Sequence, residues 1–219
     1  MDKQFLFGFP IIKQTIDEGL YDKTKIVEDI LFNYNLDENR NEWDSHKVHY
    51  GRPSSNLHHS HGDNSNNNFK KIDYSKLIPI YNEAITNALN QIYFKKKIKW
   101  NYSIENYTCI KKNNYMRDHI HLGCDFTAIH YLKFNNNEHF STNFINTQKH
   151  SSYTNKLLPT LSGSLNGAAI ENSWMSDNYS IDTDENDFII TPAIVEHSIP
   201  YHHNCDTHRI TIALNIILE

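Results

Sequence analysis

The chain has 219 residues, 38% hydrophobic and 12% aromatic, enough apolar material for a sizeable core and too much for a disordered chain. Its net charge of −5, with no block of like charge, argues against nucleic acid as a partner, because phosphate contacts need a basic surface. No run approaches the roughly 18 apolar residues of a membrane span, and the opening MDKQFLFGFPII lacks the pattern of a signal peptide, so a cytoplasmic protein with no membrane partner is expected.

Residues 4–13 mix Phe, Gly, Pro and Ile and predict an extended opening segment. Ile26, Ile30, Leu31 and Tyr34 recur at helical spacing and predict a helix over 23–34. Residues 35–72 are polar and punctuated, centred on SSNLHHSHGDNSNNNFKK, and read as a long loop. Within it His58, His59 and His61 read as solvated loop residues, and Ser54 to Lys71 as a mobile cover. Leu77, Ile80, Ile85, Leu89 and Ile92 predict a second helix over 74–94. After Lys97 the pattern changes to short β-branched or aromatic runs between polar loops: WNYSI, YTCI, NYMRDHIH, FTAIHYLKF, HFSTNFI, DFIITP, IVEHSI and HRITIALNIIL. That is the signature of an antiparallel sandwich or barrel. The expectation is a mainly β fold with N-terminal helices in a single domain. Residues 1–97 would be helical support and variable cover, and 98–219 the β core.

Three cysteines, Cys109, Cys124 and Cys205, fit a reducing compartment, and the absence of a CxxC pair argues against a thiolate zinc site. Imidazoles offer more. His119 and His121 are two residues apart in a strand pattern and so share a face. Neutral imidazole is a ligand for borderline metals such as iron, zinc or copper. Among 14 histidines such a pair could equally be hydrogen-bonded barrel residues, but two later features add to it. His197 follows a turn proline in a short strand. Arg209 then opens an alternating strand in which Arg209, Thr211, Ala213 and Asn215 share one face and Ile210, Ile212, Leu214 and Ile216 the other, which must be core. An inward Arg with a Thr two residues on suits an external carboxylate, gripped by the guanidinium fork and the hydroxyl. Pairing of Arg209 with an Asp or Glu of the chain is the competing reading.

The ordered phrases HIH (119–121), FTAIHYLKF (126–134), TPAIVEH (191–197) and RITIALN (209–215) resemble those of a small family of iron(II)- and 2-oxoglutarate-dependent oxygenases of marine bacteria and phages. The likeness runs from about residue 100 to the end. It implies a double-stranded β-helix, or jelly roll. It also implies Fe(II) at one mouth, 2-oxoglutarate held through its distal carboxylate by Arg209 and Thr211, and O2 as the oxidant. Tyr131 takes the position of a tyrosine that assists that carboxylate, or is a core tyrosine. The wider superfamily carries HxD or HxE where this chain has HIH, so three ligand sets stay open. The first is His119, His121 and His197. In the second, Asp125 supplies a carboxylate. In the third, His121 plays the first-histidine part with Gly123 at the carboxylate position, as in the halogenases.

The resemblance implies hydroxylation of a small-molecule or peptide substrate with release of succinate and CO2, and allows a homodimer. The alternatives are a cupin-like three-histidine dioxygenase that does not use 2-oxoglutarate, a halogenase, and a jelly-roll binding protein without catalysis. Specificity is expected in residues 35–72 and 135–185. No GxSxG, GxGxxG or P-loop supports hydrolase or nucleotide chemistry.

Overall fold

A computed structural model describes residues 1–6, 9–37, 48–49, 52–53, 55–60, 68–92, 94–146, 178–203 and 205–219. The strands in chain order are β1 (Asp2–Leu6), β2 (Phe9–Thr15), β3 (Val48–His49), β4 (Arg52–Pro53), β5 (Ser55–Asn56), β6 (His58–His59), β7 (Trp100–Ile110), β8 (Tyr115–His119), β9 (Phe126–Lys133), β10 (Asn143–Ile145), β11 (Asn178–Ser180), β12 (Asp187–Pro192), β13 (His197–Ile199) and β14 (Arg209–Leu218). Two helices, α1 (Lys23–Leu36) and α2 (Leu77–Leu89), lie between them in sequence. A seven-stranded sheet has the order β1-β2-β12-β9-β14-β7-β6, and a five-stranded sheet the order β11-β10-β13-β8-β5. Every pairing is antiparallel. No helix among the described residues is long and apolar enough to cross a membrane.

Period-two alternation assigns each face of the large sheet its partner. On one side Phe126, Ala128 and Leu132 of β9, with Ile210, Ile212, Leu214 and Ile216 of β14, pack against Ile26, Ile30 and Tyr34 of α1 and Tyr81, Ile85 and Ala88 of α2. On the other, Ile129 and Tyr131 of β9 and Ile189 of β12 meet Phe144 of β10 and Val195. A third cluster, Leu57, Ile110, Met116 and Ile199, joins the strands at the other flank. Burying each such side chain contributes about 1.5–3 kcal/mol. These three clusters hold the two sheets and the helices together.

The helix over 23–34 is present and runs two residues further, capped by the Asp22 carboxylate accepting from the Lys25 amide at 3.0 Å. Helix α2 is shorter than the 74–94 stretch. WNYSI and YTCI are one eleven-residue strand, β7, with a bulge between them. Residues 1–97, expected as helical support and cover, also supply β1, β2 and β6 to the large sheet and β5 to the small one. Of the second region expected to set specificity, residues 147–177 lie outside the described residues.

The reading of His58 and His59 as solvated is overturned: both are buried in β6, which pairs with β7. The His58 Nδ1–H donates to the Asp37 carbonyl at 2.6 Å, and Nε2 accepts from the Tyr107 hydroxyl at 3.2 Å. That hydroxyl oxygen accepts from Asn33 Nδ2 at 3.0 Å, and Asn33 bonds both backbone groups of Lys70. The polar chain is therefore fastened to α1 and β7 through satisfied buried groups. Composition alone could not reveal this. His61 and residues 62–67 lie outside the described residues. His58→Ala is expected to cost about 1–3 kcal/mol of unfolding free energy, the range for a buried partner lost. In the wild-type chain without ligands the Ser60 amide, which donates to Tyr107 at 3.0 Å, should be protected from hydrogen exchange. Fast exchange there would restore the mobile-cover reading.

His130 of β9 lies in the helix-facing core, its Nδ1 hydrogen-bonded to the Tyr81 hydroxyl at 2.8 Å. Burial, and then the charge of Lys23, push its pKa down to about 3. An unfolded histidine titrates near about 6.5. Between those values the unfolded chain binds a proton that the folded chain refuses, so stability falls as pH falls through that window. Replacing His130 by Asn should flatten the pH dependence of unfolding by up to about 1.4 kcal/mol per pH unit in that window. Denaturant titrations of both proteins at several pH values measure it, and equal slopes would refute the assignment.

Candidate metal centre

Strand β14 sets the depth scale of the site. On its inward face Arg209 and Thr211 are buried, and Ala213 and Asn215 are half-buried, so the face runs from the interior to a mouth. A cavity of about 420 Å³ lies against it, lined among others by Thr108, Thr142 and Met116 at depth, then His119, His121 and His197, then Glu105, Ile120 and Leu122.

The histidines meet because of strand pairing. His119 ends β8 and is the cross-strand partner of His197 in β13, with ring centroids 4.3 Å apart. His121 lies just beyond β8, where its amide donates to the Ala193 carbonyl at 3.0 Å and keeps the chain close to the sheet. Its ring is 5.5 Å from that of His119 and 5.2 Å from that of His197. One ligand atom from each lies within 4.8 Å of the other two. Their protons are placed by neighbours. The Nδ1–H of His119 donates to the Arg117 carbonyl and that of His197 to the Val195 carbonyl, each at 2.9 Å. His121 Nδ1 bonds the Asn215 side-chain oxygen at 2.8 Å. The lone pair of each ring therefore resides on Nε2. Burial lowers all three pKa values, that of His119 to about 4 and that of His197 well below the ordinary range. Three neutral imidazoles with oriented lone pairs gathered in a cavity fit one borderline divalent metal ion, and the oxygen-bonded Nδ1 atoms are the outer contacts such ligands use.

Arg209 is fully buried. Its Nη2 donates to Thr142 Oγ1 at 3.3 Å, its guanidinium carbon lies 5.1 Å from the centre of the Tyr131 ring, and Nε and Nη1 find no acceptor among the described residues. No Asp or Glu of the described residues forms a salt bridge with it. Leaving such a charge unpaired in the interior costs several kcal/mol; among the described residues no carboxylate meets that cost, and an external anion would. Thr211 Oγ1 lies 2.7 Å from Thr108 Oγ1, beside it on β7.

Tyr131 does not border the cavity; its hydroxyl donates to Thr142 Oγ1 at 2.7 Å and its ring supports the guanidinium. Thr142, which sequence patterning did not single out, is the contact that faces the cavity. Asp125 is not near the histidines as a ligand. It is exposed, and its Oδ2 accepts from the Leu218 amide at 2.8 Å, closing the end of β14, while the grouped imidazoles are those of His119, His121 and His197. Gly123 adopts a φ of 84°, a left-handed turn that glycine tolerates. The ligand set built on His121 and Gly123 leaves out His119, which the geometry includes. His202 is buried and accepts from the Phe140 amide at 3.2 Å. His59, Thr108 and Glu105 also line the cavity, and no local pattern marked them.

A second grouping, Glu138, His139 and Cys205, is hydrogen-bonded within the protein. Glu138 accepts from the amides of Asp206 and Thr207, Cys205 donates to the Thr207 carbonyl, and both His139 nitrogens are engaged. It fastens the turn before β14, and its hydrogen bonds engage both nitrogens of His139.

No family model and no curated protein matches the chain by sequence. Solved structures do match by shape. A prolyl hydroxylase of Trichoplax adhaerens, in complex with a hypoxia inducible factor oxygen degradation domain peptide, superposes with a TM-score of 0.52 at 12% identity over 96% of this chain and 83% of that one. A prolyl-4-hydroxylase of Pseudomonas putida superposes with a TM-score of 0.50 at 7% identity over 94% and 91%. This chain has the fold of those hydroxylases. At such identities the likeness concerns fold, and the chemistry must be argued from the residues of the cavity.

Replacing His119, His121 or His197 singly by Ala should sharply lower the Fe(II) bound per chain, whereas Asp125→Ala should leave it unchanged. Elemental analysis of protein made without a histidine tag measures both. Full metal content in the three histidine variants would dismantle the centre.

Proposed function

We propose that the chain is an oxygenase that uses Fe(II), 2-oxoglutarate and O2, built as one domain on a double-stranded β-helix. The observation that supports this reading best is a buried guanidinium, whose Nε and Nη1 find no acceptor among the described residues, in the same cavity as three converging imidazoles. The fold shared with prolyl hydroxylases adds to it. His119, His121 and His197 hold the metal through Nε2. Arg209 pairs its Nε and Nη1 with the distal carboxylate of 2-oxoglutarate, and the Thr211 hydroxyl adds a donor. Thr142 and Tyr131 keep the guanidinium in plane, and Thr108 orients Thr211. Asn215 fixes the His121 ring. Burial at the Arg209 end excludes water from the charge pair and strengthens it.

When bound, Fe(II) and 2-oxoglutarate supply the oxidising chemistry, in which O2 is consumed, 2-oxoglutarate loses CO2 to give succinate, and a substrate C–H bond is hydroxylated. Three protein ligands favour hydroxylation over halogenation, which requires a metal position with no protein ligand. A small molecule or a peptide would fit as substrate, the latter being what the Trichoplax enzyme holds in its complex. A cupin-like dioxygenase that binds its substrate directly on the metal is the second reading, and it would release no succinate.

Arg209→Lys should weaken 2-oxoglutarate binding by about tenfold or more, since a charge-assisted fork contributes about 1.5–3 kcal/mol, and should keep the metal. Anaerobic titration of the Fe(II) charge-transfer band reads the affinity, and succinate analysis reads the reaction. Unchanged affinity would take Arg209 out of this role, and oxidation without succinate would favour the second reading.

A further inference from the structure

Among the described residues that line the cavity, two carry a formal charge, Arg209 at depth and Glu105 toward the mouth. Arg209 is accounted for by the co-substrate; Glu105 is not. Its position follows from an irregularity of β7. Ala213 of β14 pairs with Asn106 and Leu214 with Ile104, so Glu105 is the extra residue of a β-bulge. A bulge re-aims the side chain it carries; Glu105 lines the cavity with Asn106 and Asn215, and with Asn106 it also borders a smaller neighbouring cavity that Lys70 and Lys71 line. The carboxylate is half-buried and accepts a hydrogen bond from Ser103, and no Lys or Arg of the described residues forms a salt bridge with it. It lines the same cavity as the rings of His119, His121 and His197. Across the same cavity Ile120 and Leu122 present large apolar side chains, Leu122 at 83% exposure.

We propose, resting on the oxygenase reading, that the substrate is a cation, an ammonium or guanidinium on an aliphatic arm. Its charge pairs with Glu105, and the arm lies on Ile120 and Leu122 within reach of the metal. A half-buried carboxylate attracts such a group and repels anions, so it selects by both signs. The same repulsion keeps 2-oxoglutarate directed to the Arg209 end.

The test is calorimetric titration of the full chain, loaded anaerobically with Fe(II) and 2-oxoglutarate. The probes are the Nα-acetyl amides of lysine, arginine and norleucine, the last a neutral analogue of the lysine probe. The two cationic probes should bind about tenfold more tightly than the norleucine probe, the difference made by one charge-assisted contact. In Glu105→Gln the preference should vanish while iron content and 2-oxoglutarate affinity stay as they were. For the wild-type chain, raising the ionic strength should weaken the cationic probes and spare the neutral one, a reading that needs no variant. Equal affinities in the wild type, no binding by any probe, or a preference that survives Glu105→Gln would each overturn the proposal. A chain that does not bind 2-oxoglutarate yet prefers cations through Glu105 would overturn the oxygenase reading and leave this site standing.

Discussion

The pairing of β14 between β7 and β9 is the constraint on which the site depends. Its side chains alternate between two environments that cannot be exchanged. Ile210, Ile212, Leu214 and Ile216 are buried under the helices, while Arg209, Thr211, Ala213 and Asn215 face the cavity. A slip of one residue would drive a guanidinium and an amide into the helix-facing core and turn four large apolar side chains toward the polar cavity. The stability of the helix-facing core therefore holds the register, and the register holds the chemistry.

Through that register one strand addresses both ends of the site. Arg209 is held at depth by Thr142 and Tyr131, and Asn215 reaches His121 near the mouth. The facing sheet contributes His119 and His197, which come from different strands and meet as a cross-strand pair. The bulge in β7 then breaks the regular alternation where Glu105 enters. Regular pairing thus places the histidines, and a local departure from it places Glu105, the one carboxylate among the described residues that line the cavity.

The cavity concentrates polar groups that the interior would otherwise reject. The imidazoles are kept neutral by burial, with their protons tied to carbonyl and amide oxygens. Around Glu138, His139 and Cys205 the polar groups are closed on one another instead, so that cluster is structural. The difference lies in where the lone pairs point, which residue types alone do not reveal.

Much of this was legible from residue order because strands and helices have fixed periods. The spacing of Ile26, Ile30 and Tyr34 marked α1, HIH marked two neighbouring imidazoles, one ending β8 and one just beyond it, and RITIALN marked both faces of β14. That His197 is the partner of His119, that Thr142 lies under Arg209, and that Glu105 leaves the ladder depend on contacts between residues distant in sequence, for which no local period exists. The same cause explains one misreading. His58 and His59 sit in a polar stretch yet are buried; the Asp37 carbonyl and the Tyr107 hydroxyl, itself bonded to Asn33, engage the His58 ring. Asp125, whose chemistry suits a ligand, bonds the Leu218 amide. By itself the sequence determined the mainly β class, the two-faced character of β14 and a histidine set able to bind a metal, since each follows from side-chain type at short period. Only the tertiary structure decided which histidines meet, which carboxylate lines the mouth and how deeply Arg209 is buried, because burial and pairing across the two sheets are properties of the whole fold.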